Sequence, residues 1–500
     1  MLCSTEITLM NMMAQVINMF IALSKETIRE LWKDPIKNET KKGVFAKLLH
    51  SLSQHNDDLC SSVEELLQDL SKIADSDQRY LFAMGICCCL DEMIDYDPWP
   101  NDTDRSDRND RRIHLGKVVP FQSTHEIISL TALNTNFRET QLCLAPKLPV
   151  SYAKSSFGDD GDLRDLSSRE AMFGINKELK HVIYYPIGKY SVTHIILPER
   201  SVYRESSTLP LHTRVAFTPI TDCSNNLKFK KYELGNKKLI SLENIQSPED
   251  LEQRFQKAWL QACEYEPDVL FAPEMLATEE MVELIGNKSA FLKPLIKVAK
   301  RQGLCTPRIT IMPTRWKNQS NRLLLFNENG ILLGTQYKHT AYVSKTGRKE
   351  DLSGTCSNDL FLVHLENQQR IAISICSEFL YDNAEVQSVF CSQLGTTLLL
   401  VPSYSNGEQD FVDTLQSTKQ FGTSVIWGNS CGAVESGNHR IIGAGSFAGI
   451  DNPVRFGSNV QCDFNCKGKE CCLFITDIPT RIFWEKPDSP SAPKISHIYL

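Results

Sequence analysis

The stretch that decides the fold reads Arg370-Ile371-Ala372-Ile373-Ser374-Ile375-Cys376 and continues directly into Ser377 and Glu378. Its apolar and β-branched residues predict a strand that is at least half buried. A rigid strand would hold the Cys376 sulfur in place, while the turn after it would open the thiol to a substrate. The backbone N–H of Ser377 would then point at an oxyanion that develops beside the sulfur. Cys376 is therefore the candidate nucleophile.

Two earlier stretches also place a charged residue at the end of a predicted strand. Residues 268–273 run into Glu274, and residues 331–337 run into Lys338. Acyl transfer from nitrogen needs a nucleophile, a proton carrier and positive charge near the carbonyl oxygen. Cys376 would form a thioester, Glu274 would carry the protons, and Lys338 would stabilise the oxyanion. The Lys338 ammonium is also expected to lower the thiol pKa from its reference value of about 8.5.

The order Glu, Lys, Cys, with each residue at a strand end, resembles the carbon–nitrogen hydrolase (nitrilase) superfamily. The resemblance covers residues 213–484 and rests on five pieces: Thr213-Arg214-Val215-Ala216-Phe217-Thr218-Pro219, Phe271-Ala272-Pro273-Glu274, Tyr337-Lys338-His339, Ile375-Cys376-Ser377-Glu378 and Ile426-Trp427-Gly428-Asn429-Ser430-Cys431-Gly432. It implies an α/β fold, the nitrilase-like four-layer α-β-β-α sandwich. It also implies a second glutamate after the lysine. The first candidate is Glu350, at a longer spacing than the family norm.

The predicted function is a thiol-dependent hydrolase that cleaves a non-peptide carbon–nitrogen bond in an amide, nitrile or carbamoyl substrate, with no metal and no cofactor. Residues 417–423 depart from the Ala-Arg-Ala-x-Glu-Asn signature that the family usually carries there, which leaves substrate class and assembly open. The alternative is a nitrilase-fold module that senses a ligand or binds a partner with little or no turnover, for example in a bacterial antiviral defence system. Loss of the second glutamate from the pocket would favour this alternative.

Pattern and composition divide the chain into five segments. Residues 1–96 form a helical N-terminal module, which is expected to recruit a protein partner or to regulate. Residues 97–112 are rich in Asp, Asn, Arg and Pro and indicate an exposed linker. Residues 113–205 form a small mixed α/β region, residues 206–485 the nitrilase-like domain, and residues 486–500 a C-terminal tail.

Net charge argues against a broad nucleic-acid surface. The 500 residues carry a formal charge of −7, whereas nucleic-acid footprints are usually basic. A local basic patch at 228–231 and 237–238 is predicted to be a solvated loop or strand edge. The apolar stretch 8–23 is interrupted by polar residues and indicates a packed helix, so no membrane association and a cytoplasmic location are expected.

The 17 cysteines are scattered, which favours reduced thiols. Cys462, Cys466, Cys471 and Cys472 lack paired C-x-x-C knuckles, so a cysteine-rich loop is favoured over a zinc site. The triplet at 87–89 is interpreted as part of a buried helix.

The resemblance implies at least a homodimer. A helix is predicted at residues 408–421, with Phe411, Val412 and Leu415 on one apolar face. This face could form the dimer interface or pack on the sheet within one subunit, and the sequence leaves both open.

Overall fold

The computed structural model describes residues 43, 46–47, 59–92, 126–130, 141–146, 182–188, 191–197, 212–220, 227–365, 369–381, 391, 396–405, 407–418, 423–433, 442–447, 453–456, 472–479 and 495–499. The chain divides into two compact units. Unit 1 comprises Met1–Ser207 with Gln393–Gly395, and unit 2 comprises Thr208–Ser392 with Thr396–Leu500. Each unit is described by itself.

Unit 1 contains two helices and four strands among the described residues. They are α1 (Leu59–Lys72), α2 (Ser76–Glu92), β1 (Glu126–Leu130), β2 (Gln141–Pro146), β3 (Val182–Gly188) and β4 (Ser191–Ile196). Strand β1 pairs antiparallel with β4, and β2 pairs antiparallel with β3. Cys87, Cys88 and Cys89 are buried in α2, which confirms their interpretation as part of a packed helix. The predicted helix at 8–23 and the linker at 97–112 lie outside the described residues.

Unit 2 contains alternating strands and helices. They are β5 (His212–Phe217), β6 (Leu227–Leu234), β7 (Lys237–Ile245), α3 (Pro248–Cys263), β8 (Val269–Phe271), β9 (Leu284–Ile285), β10 (Lys288–Ser289), α4 (Leu292–Arg301), β11 (Ile309–Ile311), β12 (Arg315–Lys317), β13 (Ser320–Asn327), β14 (Leu332–Tyr337), β15 (Lys349–Glu350), β16 (Asp359–His364), β17 (Arg370–Ile373), α5 (Ser377–Tyr381), β18 (Leu398–Ser403), α6 (Glu408–Ser417), β19 (Ser424–Asn429), β20 (Gly443–Ser446), β21 (Val454–Phe456), β22 (Cys472–Pro479) and β23 (Ile495–Tyr499).

Two large sheets organise this unit. The first runs β12-β13-β11-β8-β5-β22-β23, with β14 paired to β13. In this unit, the second has the strand order β16-β17-β18-β19-β20-β21. Parallel pairs lie at the centre of both sheets, β5 with β8 and β11 in the first and β17 with β18 and β19 in the second. Functional groups of such sheets collect beyond the carboxyl ends of their parallel strands. Glu274 follows β8, and Cys376 follows β17.

Glycines allow the two sheets to approach closely. A Cβ atom at Gly428 of β19 would lie 2.5 Å from the ring of Phe217 and 2.7 Å from the ring of Phe271, both in the first sheet. A Cβ at Gly334 of β14 would lie 2.3 Å from the ring of Phe361 in β16. Aromatic side chains of one sheet therefore fill the space that a glycine leaves on the other.

Helices cover the outer faces of the two sheets. In α3, Leu251, Phe255 and Trp259 recur at intervals of four and join the core cluster that includes Leu270 of β8. On the second sheet, Phe411 of α6 stacks on Trp427 of β19 with ring centroids 4.7 Å apart. Helix, sheet, sheet and helix follow one another, so the predicted α/β four-layer sandwich is confirmed.

The apolar face of α6 packs within the subunit. Phe411 and Leu415 are fully buried and Val412 is 5 % exposed. The exposed residues of this helix include Gln409, Asp410 and Asp413, which are polar. Of the two interpretations of this face, packing on the chain's own sheet is therefore correct.

The structure corrects one part of the C-terminal prediction. Within the segment 486–500, the described residues Ile495–Tyr499 form β23, which pairs antiparallel with β22 and extends the first sheet. Before α4 begins, β9 and β10 form a short antiparallel ladder. Ser247, which precedes α3, makes no side-chain cap hydrogen bond. Its backbone is left-handed, with φ 50°, and its carbonyl accepts the first helical N–H groups instead.

Candidate active site

Cys376 occupies a strained turn between β17 and α5. Its φ is 49°, in the left-handed region that non-glycine residues seldom adopt. Its backbone N–H donates to the carbonyl of Pro402 at 3.0 Å, which fixes the turn against the end of β18. The side chain is 5 % exposed. Strain of this kind persists only where the surrounding structure imposes it, and it is concentrated at functional sites.

Glu274 and Lys338 form a buried ion pair. Lys338 Nζ lies 2.6 Å from Oε1 of Glu274, and both side chains are fully buried. Glu274 follows β8 of the first sheet, and Lys338 follows β14, which lies beside β13 in the same sheet. The two residues that the sequence places at strand ends are therefore in direct contact.

The candidate second glutamate lies in the same cluster. Glu350 Oε2 is 2.7 Å from Lys338 Nζ, and the Glu350 side chain is 1 % exposed. The turn at 344–347 returns the chain after Lys338, with Gly347 at φ 73° and the Ser344 N–H donating to the Arg348 carbonyl at 2.8 Å. The long spacing between Lys338 and Glu350 thus closes into a hairpin-like loop that brings the carboxylate back to the lysine.

Asn321 joins the two carboxylates, and sequence reasoning missed it. Its Nδ2 donates to Glu274 Oε1 at 2.8 Å and to Glu350 Oε1 at 3.2 Å. Its backbone carbonyl accepts the backbone N–H of Lys338 at 2.8 Å. A single asparagine inside β13 carries no sequence signal. Only the register of β13 beside β14 places it between the glutamates.

Glu378, also missed as a functional residue, connects the lysine segment to the cysteine segment. Its carboxylate accepts the His339 N–H at 2.5 Å through Oε1 and the Ile375 N–H at 2.7 Å through Oε2. The Ser377 hydroxyl adds a third tie, donating to the Thr340 carbonyl at 2.8 Å. The residues that flank Lys338 and Cys376 are therefore held together by one buried carboxylate.

The loop after β18 supplies a further donor. The backbone N–H of Tyr404 hydrogen-bonds to the Cys376 sulfur, a contact that works to lower the thiol pKa. The side chain of Asn429, at the end of β19, makes two hydrogen bonds to Ser405, the residue after Tyr404. It accepts the Ser405 N–H at 2.9 Å and donates to the Ser405 carbonyl at 2.6 Å. Asn429 thereby fixes the loop from which Tyr404 reaches the thiol.

Burial and charge set the protonation states of the cluster. Burial opposes the charge of Lys338, but the carboxylates of Glu274 and Glu350 outweigh it and raise the lysine pKa well above its usual value. Burial also raises the pKa of Glu274. The Lys338 charge opposes that shift, and the Glu350 charge adds to it.

The thiol pKa moves against expectation. Burial and the Glu274 carboxylate raise the pKa of Cys376, and the Lys338 ammonium offsets only part of that rise. The Lys338 ammonium thus acts on the thiol pKa in the predicted direction, but burial and the Glu274 carboxylate outweigh it.

Other sequence expectations are only partly covered. Ser377 directly follows the thiol, but the role of its N–H as an oxyanion donor stays a prediction. Of the cysteine cluster only Cys472 is described, as a buried residue at the start of β22, so the choice between loop and zinc site also stays open. No helix within the described ranges is long and apolar enough to cross a bilayer.

No protein-family model matches the chain, and no curated protein matches it either. Solved structures do. An amidase from Nesterenkonia sp. is 14 % identical with a TM-score of 0.35, over 56 % of this chain and 95 % of that one. A mutant of that amidase, with the acetamide moiety of fluoroacetamide added covalently at its active-site cysteine, is 14 % identical with a TM-score of 0.36, over 54 % of this chain and 93 % of its own.

Nit3 from Saccharomyces cerevisiae is 12 % identical with a TM-score of 0.30, over 44 % of this chain and 77 % of its own length. It is described as a member of branch 10 of the nitrilase superfamily.

Proposed function

We propose that the protein is a thiol-dependent hydrolase of non-peptide carbon–nitrogen bonds, acting on an amide, nitrile or carbamoyl group through an acyl-enzyme on Cys376. One observation carries the proposal. A cysteine in a strained left-handed turn lies against a fully buried cluster of Glu274, Lys338 and Glu350. Burying several ionised groups is costly, and perturbed groups of this kind are concentrated at functional sites.

The first step transfers one proton and forms one bond. Because the thiol is neutral at rest, it must lose its proton as the sulfur attacks the substrate carbon. Glu274 takes that proton, and its raised pKa makes it a better base than an ordinary glutamate. The electron pair of the carbonyl π bond moves to the oxygen, which becomes an oxyanion.

Lys338 stabilises this oxyanion. Its raised pKa keeps it charged at neutral pH, and no reorganisation is needed because two carboxylates already hold the ammonium in place. The N–H of Ser377, next to the nucleophile, is proposed as a second donor. Glu350 acts here by positioning Lys338 and by balancing its charge.

Protonated Glu274 then returns the proton to the departing nitrogen. The carbon–nitrogen bond breaks, ammonia or an amine leaves, and a thioester on Cys376 remains. Glu274, again a carboxylate, removes a proton from water as the water attacks the thioester. The carbon–sulfur bond then breaks, the acid product leaves, and Glu274 returns its proton to the sulfur, which regenerates the thiol without an oxidant, metal or cofactor.

The place of Glu350 bears on the alternative of a module that senses without turnover. That alternative is favoured if the second glutamate is missing from the cluster, whereas Glu350 contacts Lys338 directly. The observation supports the enzyme.

The proposal retains a cytoplasmic setting, in which a catalytic thiol stays reduced, and a homodimer. The buried face of α6 cannot supply the dimer interface, so another surface must. Light scattering of the full chain tests the assembly.

A panel of simple amides, nitriles and carbamoyl compounds, assayed for ammonia release, tests the activity. We expect the full chain to release ammonia from at least one of these classes, and Cys376→Ala to abolish the release. The unfolding free energy of Cys376→Ala should stay within about 1 kcal/mol of that of the parent protein. Ammonia release that persists in Cys376→Ala would refute the proposal. A folded parent with no turnover across the panel would favour the sensing module.

A further inference from the structure

A three-stranded sheet in unit 2 concentrates positive charge on the surface. It runs β15-β7-β6, and we refer to residues 227–245 and 343–349 as the basic sheet. Its basic residues are Lys228, Lys230, Lys231, Lys237, Lys238, Lys345, Arg348 and Lys349, its exposed acidic residues are Glu233 and Glu243, and Glu350 at the end of β15 is buried. The chain as a whole is acidic, with net charge −7. This surface therefore has the opposite sign to the protein that carries it.

The lysines lie on an outer strand with an open edge. Among the described strands, β6 pairs with β7 alone, so within the described structure its other edge is unpaired. Lys228, Lys230 and Lys231 are exposed, and within the described part of the chain neither Lys230 nor Lys231 makes an ion pair. An edge strand offers a row of backbone donors and acceptors to any strand that can approach it.

Specific contacts hold the basic sheet in place. The Tyr232 hydroxyl hydrogen-bonds to the Asp351 carboxylate, and the Asp351 N–H donates to the Ile240 carbonyl at 2.9 Å. The ring of Phe229 packs against Trp316 with centroids 6.3 Å apart. The edge is thus ordered before any partner arrives, which reduces the entropy cost of binding.

The same contacts argue against a nucleic-acid partner. Binding of single-stranded nucleic acid combines positive charge with aromatic rings on which bases stack. Of the two aromatic residues of β6, Tyr232 hydrogen-bonds to Asp351, and Phe229 packs against Trp316 with 36 % of its surface exposed. One partly exposed ring does not form the row of stacking positions that successive bases need.

A second copy of the chain is also a poor partner for this edge. Antiparallel pairing of two β6 strands would bring lysines opposite lysines, and like charges directly across a ladder are destabilising. Lysines on an edge strand discourage pairing with apolar or basic strands for the same reason. The charge that excludes these partners favours a strand that carries carboxylates.

We propose that the outer edge of β6 is a docking site for an extended acidic segment of another protein, which adds as a further strand to the basic sheet. Backbone hydrogen bonds to β6 give such a complex its direction and register. Carboxylates on the added strand meet Lys230 and Lys231. The proposal is independent of the hydrolase activity, because none of these lysines belongs to the cluster around Cys376.

Fluorescence anisotropy of the full chain tests the proposal. The probe is a labelled peptide of Glu-Glu-Thr-Thr repeats, long enough to span β6, so that an added strand carries glutamates on both of its faces. Matched probes are the same peptide with glutamine for glutamate, the same peptide with alternate backbone nitrogens methylated, and single-stranded oligothymidylate. We expect binding of the glutamate peptide that weakens with salt, with at least about tenfold loss for the glutamine and the N-methylated peptides.

Charge-reversal variants localise the site. Lys230→Glu combined with Lys231→Glu should weaken binding of the glutamate peptide by about tenfold or more. Lys293→Glu combined with Lys297→Glu changes two exposed lysines of α4 and gives the same net charge as the β6 variant. It should change the affinity for the glutamate peptide by no more than about twofold. If the β6 pair fails to fold, Lys230→Thr with Lys231→Thr keeps residues that suit a strand and serves in its place.

The outcomes separate the possible ligands. Equal loss in both reversed pairs would show that only net charge attracts the peptide and would overturn the proposal. Equal binding of the N-methylated peptide would overturn strand addition. Tighter binding of oligothymidylate than of the glutamate peptide would assign the surface to nucleic acid instead, and absence of binding to every probe would remove the site.

Discussion

The buried cluster around Lys338 and the basic sheet use the same residue type in opposite ways. Lys338 is fully buried between two carboxylates, whereas Lys230 and Lys231 are exposed without an ion pair in the described structure. Strands β7 and β15 join the two regions, since Glu350 pairs with Ile240 across that ladder. A lysine in the same domain can thus be a fixed electrostatic group or a solvated charge.

The difference teaches where charge has energetic weight. At the surface, solvent screens a lysine and its contribution to stability is small. In the interior, the same ammonium compensates two carboxylates that would otherwise be buried without a partner. Substitutions that remove one lysine from each region test this contrast directly.

Replacing Lys338 by methionine should have the largest effect. It leaves Glu274 and Glu350 buried without their cation, which should cost about 3–5 kcal/mol of unfolding free energy. Turnover should fall by at least about a hundredfold, since the oxyanion loses its positive charge. Urea unfolding and ammonia release measure the two effects.

Lys231→Met is the matched control on β6. Because Lys231 is exposed and outside any described ion pair, its loss should change the unfolding free energy by less than about 0.5 kcal/mol and leave turnover unchanged. Similar losses in Lys338→Met and Lys231→Met would break the contrast between the two regions.

Replacing Glu350 by glutamine should displace the acid limb of the pH–rate profile. The Glu350 charge helps to raise the pKa of Glu274, and Glu274 must be ionised to act as a base. In the parent protein, kcat/KM should therefore fall with decreasing pH at a value above the ordinary glutamate pKa of about 4.3. In Glu350→Gln, this limb should move to lower pH, because a neutral amide no longer opposes ionisation of Glu274.

Activity at pH 7 should also decline in Glu350→Gln, by about tenfold to a hundredfold, because Lys338 loses one of its two anchoring carboxylates. Glu243→Gln, on the exposed part of β7, is the control and should leave both the limb and the rate in place. A limb that stays fixed in Glu350→Gln would show that the Glu350 charge does not act on Glu274.

The sequence was sufficient for the residues that follow strands. Glu274, Lys338 and Cys376 were predicted from apolar runs that end in a reactive side chain. Glu274 and Cys376 follow strands with parallel neighbours, whereas Lys338 follows β14, which is antiparallel to β13. The four-layer fold followed from the same alternation and from the family resemblance. Glu350 came from the resemblance alone, because its return to Lys338 depends on the turn at 344–347.

Residues whose role arises from long-range register could not be predicted. Asn321 contacts Glu274 across 47 positions of the chain, and Glu378 contacts the backbone of His339 across 39. Neither position stands out in a local pattern. The direction of the Cys376 pKa shift was also inaccessible, because it depends on how completely the fold excludes water from the thiol.

Glu378→Gln should give the smallest of these losses, and it tests whether the cluster depends on its supporting contacts. The two carboxylate oxygens accept N–H groups from His339 and Ile375, whereas a glutamine offers one acceptor and one NH₂ group. One of the two backbone donors loses its acceptor, at a cost of about 1–3 kcal/mol in stability. If the lost contact lets the lysine and cysteine segments drift apart, kcat should fall by about tenfold while KM stays within about twofold. Glu279→Gln is the matched control, since Glu279 is an exposed carboxylate paired with Arg315 and Lys317. It should change neither the unfolding free energy nor kcat measurably. A stability loss in Glu378→Gln without any change in kcat would limit Glu378 to a structural role.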